Sequence, residues 1–175
     1  MQVIEVTKQF DEFLKERNLS LEAVVIGGAA LVLLGVISRQ TKDCDVLHPL
    51  LTPELEAAAR EFALAMRQSG IALQDNWLNH EPSSIAGLLP VHWESRVQLV
   101  FKGETITFYT LGRLDLLRTK LFALCDRGSD MQDCIAMNPT FDEIQEASPW
   151  VQMQDANPDW PRHVVSVLRD LASRL

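Results

Sequence analysis

Val24-Val25-Ile26-Gly27-Gly28-Ala29, followed by Arg39-Gln40-Thr41-Lys42-Asp43-Cys44-Asp45-Val46, is the stretch on which the fold turns. The first part reads as a buried strand running through a glycine turn into a helix. The second reads as a strand, residues 43–47, that carries two carboxylates. Side chains alternate faces along a strand, so Asp43 and Asp45 should project together while Cys44 and Val46 pack on the opposite side. Two acids on one face of a rigid strand suit a hard divalent cation, which prefers oxygen ligands. Glycines at the entry to a helix bring bare N–H groups close to a bound phosphate. A phosphate cradle beside a metal-binding acid pair points to phosphoryl or nucleotidyl transfer.

Working outward, residues 6–17 have helical spacing, with Val6, Phe10, Phe13 and Leu14 on one stripe. Residues 23–26 form a short apolar strand, and 29–34 a small helix entered through Gly27 and Gly28. Thr52 is placed to cap a helix that has Pro53 at its first position and runs to about Gln68, with Gly70 marking its end. The segment 74–90 has no clear period and is assigned no element. Residues 96–101 and 105–109 flank Lys102-Gly103-Glu104 and read as a β-hairpin. Helices are expected at 113–125, 130–137, 140–147 and 161–174, the last with Val164, Leu168, Leu171 and Leu175 on one stripe. The expected class is α+β: one domain, with a small mixed sheet in about 20–110 and a helical part in about 111–175.

The 175 residues suffice for one such domain with its own core. A net charge of −8 argues against broad electrostatic binding of DNA or RNA, which needs a basic face. Cys44, Cys125 and Cys134 form no C-x-x-C pair, which favours a reducing compartment. The longest apolar run, residues 23–37, is too short and too interrupted by glycine to span a bilayer. The start of the chain lacks a signal peptide's layout. These features together indicate a cytoplasmic protein with no membrane partner.

Strand–Gly-Gly–helix followed by strand–Asp-x-Asp resembles the nucleotidyltransferase superfamily. More narrowly, Arg39, Thr41, Asp43 and Asp45 form an Arg-x-Thr-x-Asp-x-Asp run similar to that of a bacterial branch including toxin components of abortive-infection and toxin–antitoxin systems. Downstream, Leu116-Leu117-Arg118-Thr119-Lys120-Leu121-Phe122-Ala123, then Asp126-Arg127 and Asp130-x-x-Asp133, is similar to that branch's lysine-bearing helix and the paired-acid helix after it. The resemblance implies magnesium- or manganese-dependent transfer of a nucleoside monophosphate from a nucleoside triphosphate to a protein or RNA acceptor, tRNA among them. It implies that Asp43 and Asp45 hold the metal, that Lys120 and Asp133 complete the catalytic set, and that Gly27, Gly28, Arg39, Thr41, Lys42 and Asp130 contact the nucleotide. It also admits an antitoxin as protein partner. From spacing alone, Leu117, Leu121 and Leu124 form the core stripe of their helix, with Lys120 at its margin, where its long stem can reach outward.

The expected set lacks a third carboxylate. No acid lies in residues 96–101, Glu94 precedes that strand, and Glu104 falls in the hairpin turn. A two-metal site needs ligands bridging ions about 3.5–4 Å apart, which two acids from one strand serve poorly. Two readings therefore stand side by side: a nucleotidyltransferase, or a nucleotide- or partner-binding protein that keeps the fold without turnover. His48, His80, His92 and His163 lack zinc-ligand spacing. Trp77, Trp93, Trp150 and Trp160 read as packing residues.

Overall fold

A computed structural model describes residues 2–175. The chain forms two compact units, one up to Leu111 and one from Gly112 to Leu175. The boundary falls where the sequence pattern turns from mixed to helical.

The first unit contains α1 (Val3–Glu16), β1 (Leu21–Ile26), α2 (Gly27–Leu33), β2 (Cys44–His48), α3 (Pro53–Gln68), β3 (Leu78–Asn79), β4 (Gln98–Lys102) and β5 (Ile106–Thr110). Its five strands form one mixed sheet in the order β3-β2-β1-β5-β4. β1 runs antiparallel to β2 and parallel to β5, β3 runs parallel to β2, and β4 closes the far edge antiparallel to β5. Val25 of β1 and Ile106 and Phe108 of β5 are fully buried, as central strands require.

Helices α1 and α3 bring their apolar stripes together in an aromatic cluster. The Phe10 ring lies 5.1 Å from Phe62 and 5.1 Å, edge-on, from Trp77. Trp77 is buried and its indole N–H donates to the Ala59 carbonyl, a packing role. Helix α3 starts as its sequence dictates: the Thr52 hydroxyl accepts the Leu55 N–H, with Pro53 next in line. The turn between β4 and β5 is fixed from α1, where the buried Asp11 carboxylate accepts the N–H groups of Glu104, Thr105 and Ile106. These bonds satisfy donors that the tight connection leaves without ladder partners.

The second unit holds α4 (Arg113–Arg127), α5 (Met131–Ala136), α6 (Phe141–Gln152) and α7 (Trp160–Ala172). Leu117, Leu121 and Leu124 of α4 are buried, as their spacing predicts. In α7, Val164, Leu168 and Leu171 are buried, whereas Leu175 lies beyond the helix end and is exposed. Thr140 and Glu143 form a reciprocal capping box at the start of α6.

Several sequence-based boundaries shift. The acid-bearing strand begins at Cys44 rather than at Asp43, and the first hairpin strand begins at Gln98 rather than at residue 96. Residues 74–90, read as having no element, contain β3 and a 3-10 segment, Glu81–Gly87. A two-residue strand is too short to show a period of two.

Candidate functional site

The geometry of the acid pair begins at the end of β1. Ile26 sits in register with Asp45 of β2, so the chain leaves β1 and turns at Gly27 beside the Asp45 side chain. Gly27 has φ +73°, a left-handed conformation that residues with a Cβ adopt at a cost. A Cβ built there would stand 2.7 Å from Asp45 Oδ2. Glycine is therefore required twice, by the backbone angle and by the carboxylate packed against it.

Gly28 is similarly close to the segment before β2. Its Cβ would meet the Thr41 methyl at 3.0 Å and an Arg39 guanidinium nitrogen at 3.5 Å. Thr41 is buried, and its hydroxyl donates to the Asp43 carbonyl at 3.1 Å. This bond shapes the backbone that carries Asp43. Arg39 also donates to the Gln40 carbonyl. Lys42 is exposed and, with Gln40, Thr41, Arg67, Leu73 and Asp75, lines an open depression of about 650 Å³. Arg67 is held in that depression by Asp75 at 2.7 Å and by the Leu73 carbonyl at 2.6 Å.

Burial follows the expected alternation. Cys44 and Val46 are fully buried, while Asp43 and Asp45 are partly exposed. Burial, together with the charges of Asp45 and Asp43, drives the Cys44 thiol pKa far upward, so it stays neutral. The sequence-expected residues Gly27, Gly28, Arg39, Thr41, Lys42, Asp43 and Asp45 thus belong to one unit. Gly27 packs on Asp45, Gly28 on Thr41 and Arg39, and Thr41 on the backbone of Asp43.

One contributor was not visible in the sequence. Asn79 of β3 is the cross-strand partner of Asp45, and its Nδ2 donates to Asp45 Oδ1 at 3.1 Å. Its own Oδ1 accepts the Glu81 N–H at 3.0 Å. The hairpin strand β4 lies away from the acid pair, separated from β2 by β5 and β1. β2 is flanked by β1 and β3, and β3 presents an amide, that of Asn79. Among the described residues, no three His, Cys, Asp or Glu side chains are grouped to hold a metal ion. A single magnesium or manganese ion nevertheless fits the chemistry of the donors, two carboxylates with one fixed against a glycine that leaves no room for a Cβ.

The remaining candidates lie in the second unit. Lys120 does not reach outward from the margin of its stripe: it is buried, with 4% of its surface exposed. Its ammonium donates to Asp130 Oδ1 at 2.8 Å and to Asp133 Oδ2 at 2.7 Å. Asp130 and Asp133 are buried too, and Arg127 adds a contact to Asp130 at 3.2 Å. Two carboxylates around a lysine leave one negative charge, which Arg127 offsets. Cys134, on the same short helix as Asp133, places its thiol 3.7 Å from the Lys120 carbonyl. Burial raises the pKa of that thiol to about 12, with the charge of Asp130 adding to the rise.

A mixed sheet with a Gly-Gly turn packed on a strand-borne aspartate is compatible with a nucleotidyltransferase-type fold. Residues 1–140 match the family described as "Nucleotidyltransferase of unknown function (DUF6036)", and the chain belongs to that family. No curated protein and no solved structure matches the chain significantly. Among the described residues, no helix is long and apolar enough to cross a membrane.

Proposed function

We propose that this protein transfers a nucleoside monophosphate from a nucleoside triphosphate to a hydroxyl of a protein or tRNA acceptor. In that reaction the acceptor hydroxyl gives up its proton to solvent as its oxygen bonds to the α-phosphorus, the bond from that phosphorus to the α–β bridging oxygen breaks, and pyrophosphate leaves with that oxygen. The observation that carries the reading is the Asp45 carboxylate seated against Gly27, which joins the acid strand to the glycine turn. Asp43 and Asp45 would hold a magnesium or manganese ion, supplying positive charge to the triphosphate oxygens. Gly27 and Gly28 would donate backbone N–H groups to the phosphate chain. Arg39 and Lys42, just before the acids, offset phosphate charge. Thr41 keeps Asp43 placed through its bond to the Asp43 carbonyl.

The Arg39-x-Thr41-x-Asp43-x-Asp45 run supports the narrower reading of a toxin component acting beside an antitoxin. A second reading, nucleotide binding without transfer, draws support from Asn79, which puts an amide beside Asp45 where a third carboxylate would aid turnover. One experiment separates them. Purified protein is incubated with each α-labelled nucleoside triphosphate, magnesium and a cell extract. Label carried into protein or tRNA, and lost in Asp45→Asn, supports transfer. Saturable binding without transferred label supports the second reading.

A further inference from the structure

Asp45 is flanked across the sheet by Ile26 of β1 on one side and by Asn79 of β3 on the other, and Asn79 is the polar one of the two. It faces Asp45 on the parallel strand β3, and both ends of its amide are engaged. The Glu81 N–H points at its carbonyl oxygen, so a flipped amide would set donor against donor. The amide nitrogen is thereby directed at Asp45 Oδ1, while Asp45 Oδ2 is the oxygen against Gly27. One carboxylate oxygen is thus held by the Asn79 amide, and the other occupies the space that a side chain on Gly27 would fill.

We propose that Asn79 is a positioning residue that fixes the Asp45 carboxylate and, as a neutral group at the place of a third acid, limits the site to one divalent cation. This rests on the acid-pair reading above. Asp43 and Asp45 together carry two negative charges, which one divalent ion neutralises. A second ion about 3.5–4 Å from the first needs a further anionic ligand to bridge or hold it. The position paired with Asp45 on β3 is an adjacent place for such a ligand, since neighbouring strands lie about 4.8 Å apart and paired residues share a face. Asn79 fills it with an N–H donor, which orients a carboxylate but repels a cation. Groups that orient a metal-binding side chain commonly change metal affinity by about 10–100-fold when removed.

The test uses the full chain and Mn²⁺ alone, with stoichiometry and affinity read by electron paramagnetic resonance and thermal stability followed with and without the ion. Wild type should bind a single Mn²⁺. Asn79→Ala should bind it at least about tenfold more weakly. Asn79→Asp should melt earlier than wild type without metal, because it sets a third negative charge beside Asp45. With Mn²⁺ it should recover and take up a second ion. A residue with a purely structural role would show no such gain, so Asn79→Asp decides the matter even if Asn79→Ala fails to fold. Unchanged Mn²⁺ stoichiometry and affinity in Asn79→Asp, with binding abolished by Asp45→Asn, would overturn the role of Asn79 and leave the acid pair standing. Mn²⁺ binding that is the same in wild type and in Asp45→Asn would remove the acid pair and this proposal together.

Discussion

Asp45 Oδ2 lies 2.7 Å from the point where a Cβ on Gly27 would stand, and Gly27 itself turns through φ +73°. The end of β1 and the acid of β2 are therefore fitted to each other. Gly27→Ala should cost at least about 1 kcal/mol from the left-handed backbone alone. It should also push the carboxylate aside and weaken binding of magnesium and triphosphate. Denaturant unfolding measures the first effect and calorimetry the second. Wild-type stability with unaltered binding would show that the close approach has no consequence.

The buried lysine in α4 gives a prediction about stability. Removing one partner of a buried ion pair typically costs about 3–5 kcal/mol, because the other charge is left uncompensated. Lys120→Met strands Asp130 and Asp133, so the loss should fall in that range. Lys120→Met combined with Asp130→Asn and Asp133→Asn should recover much of it, since no unpaired charge remains. A single variant as stable as wild type would contradict the buried cluster.

Acid should act through identifiable carboxylates. Burial would raise the Asp11 pKa, but the N–H groups of Glu104, Thr105 and Ile106 outweigh it and hold it below its ordinary value. Glu143 falls from its ordinary 4.5 to about 2, chiefly through the Arg113 guanidinium and then through the Thr140 N–H. Both pKa values are depressed on folding. Their contribution is thus complete above the unfolded values and is lost as pH drops through the folded ones. Stability should decline between pH 4.5 and about 2, and Glu143→Gln should flatten that part of the profile. Asp11→Ala should cost at least about 2 kcal/mol at neutral pH by stranding buried donors. Urea titrations across pH check all three statements.

The thiols offer a probe of folding. Cys44, Cys125 and Cys134 are all buried and unpaired with one another. Burial lifts Cys125 to about 11, and burial with the Asp130 charge lifts Cys134 to about 12. Reactivity follows the exposed thiolate, so the folded protein should react with a chromogenic disulfide at pH 8 only through unfolding. All three should react at once in denaturant. Rapid reaction of a thiol in the folded state would contradict its burial.

Much of the site could be read from residue order, because its logic is local. A period of two sets Asp43 and Asp45 on the more exposed side of the acid segment, although β2 itself begins at Cys44, and a double glycine before a helix announces a close approach. The start of α3 was equally readable, since Thr52 and Pro53 are sufficient to set it. Asn79 was hidden because β3 spans only two residues and gains its meaning from pairing with β2. The burial of Lys120 was hidden for a related reason. Its place beside the leucine stripe allows an outward path, and the return of α5 with Asp130 and Asp133 alongside α4 closes it. Asp11 lies 93 residues from the Glu104 N–H that it accepts, a distance over which no sequence pattern operates.

The most direct test of the central claim is calorimetric titration of a nucleoside triphosphate into the full chain with magnesium, for wild type, Asp43→Asn and Asp45→Asn. Wild type should bind, and binding should weaken when magnesium is chelated. Each variant should bind at least about tenfold more weakly. Each should also melt no earlier than wild type in the absence of metal, since removing a charge relieves repulsion within the acid pair. Equal affinity in wild type and both variants, with magnesium present, would contradict the assignment of Asp43 and Asp45 as the cation-binding pair.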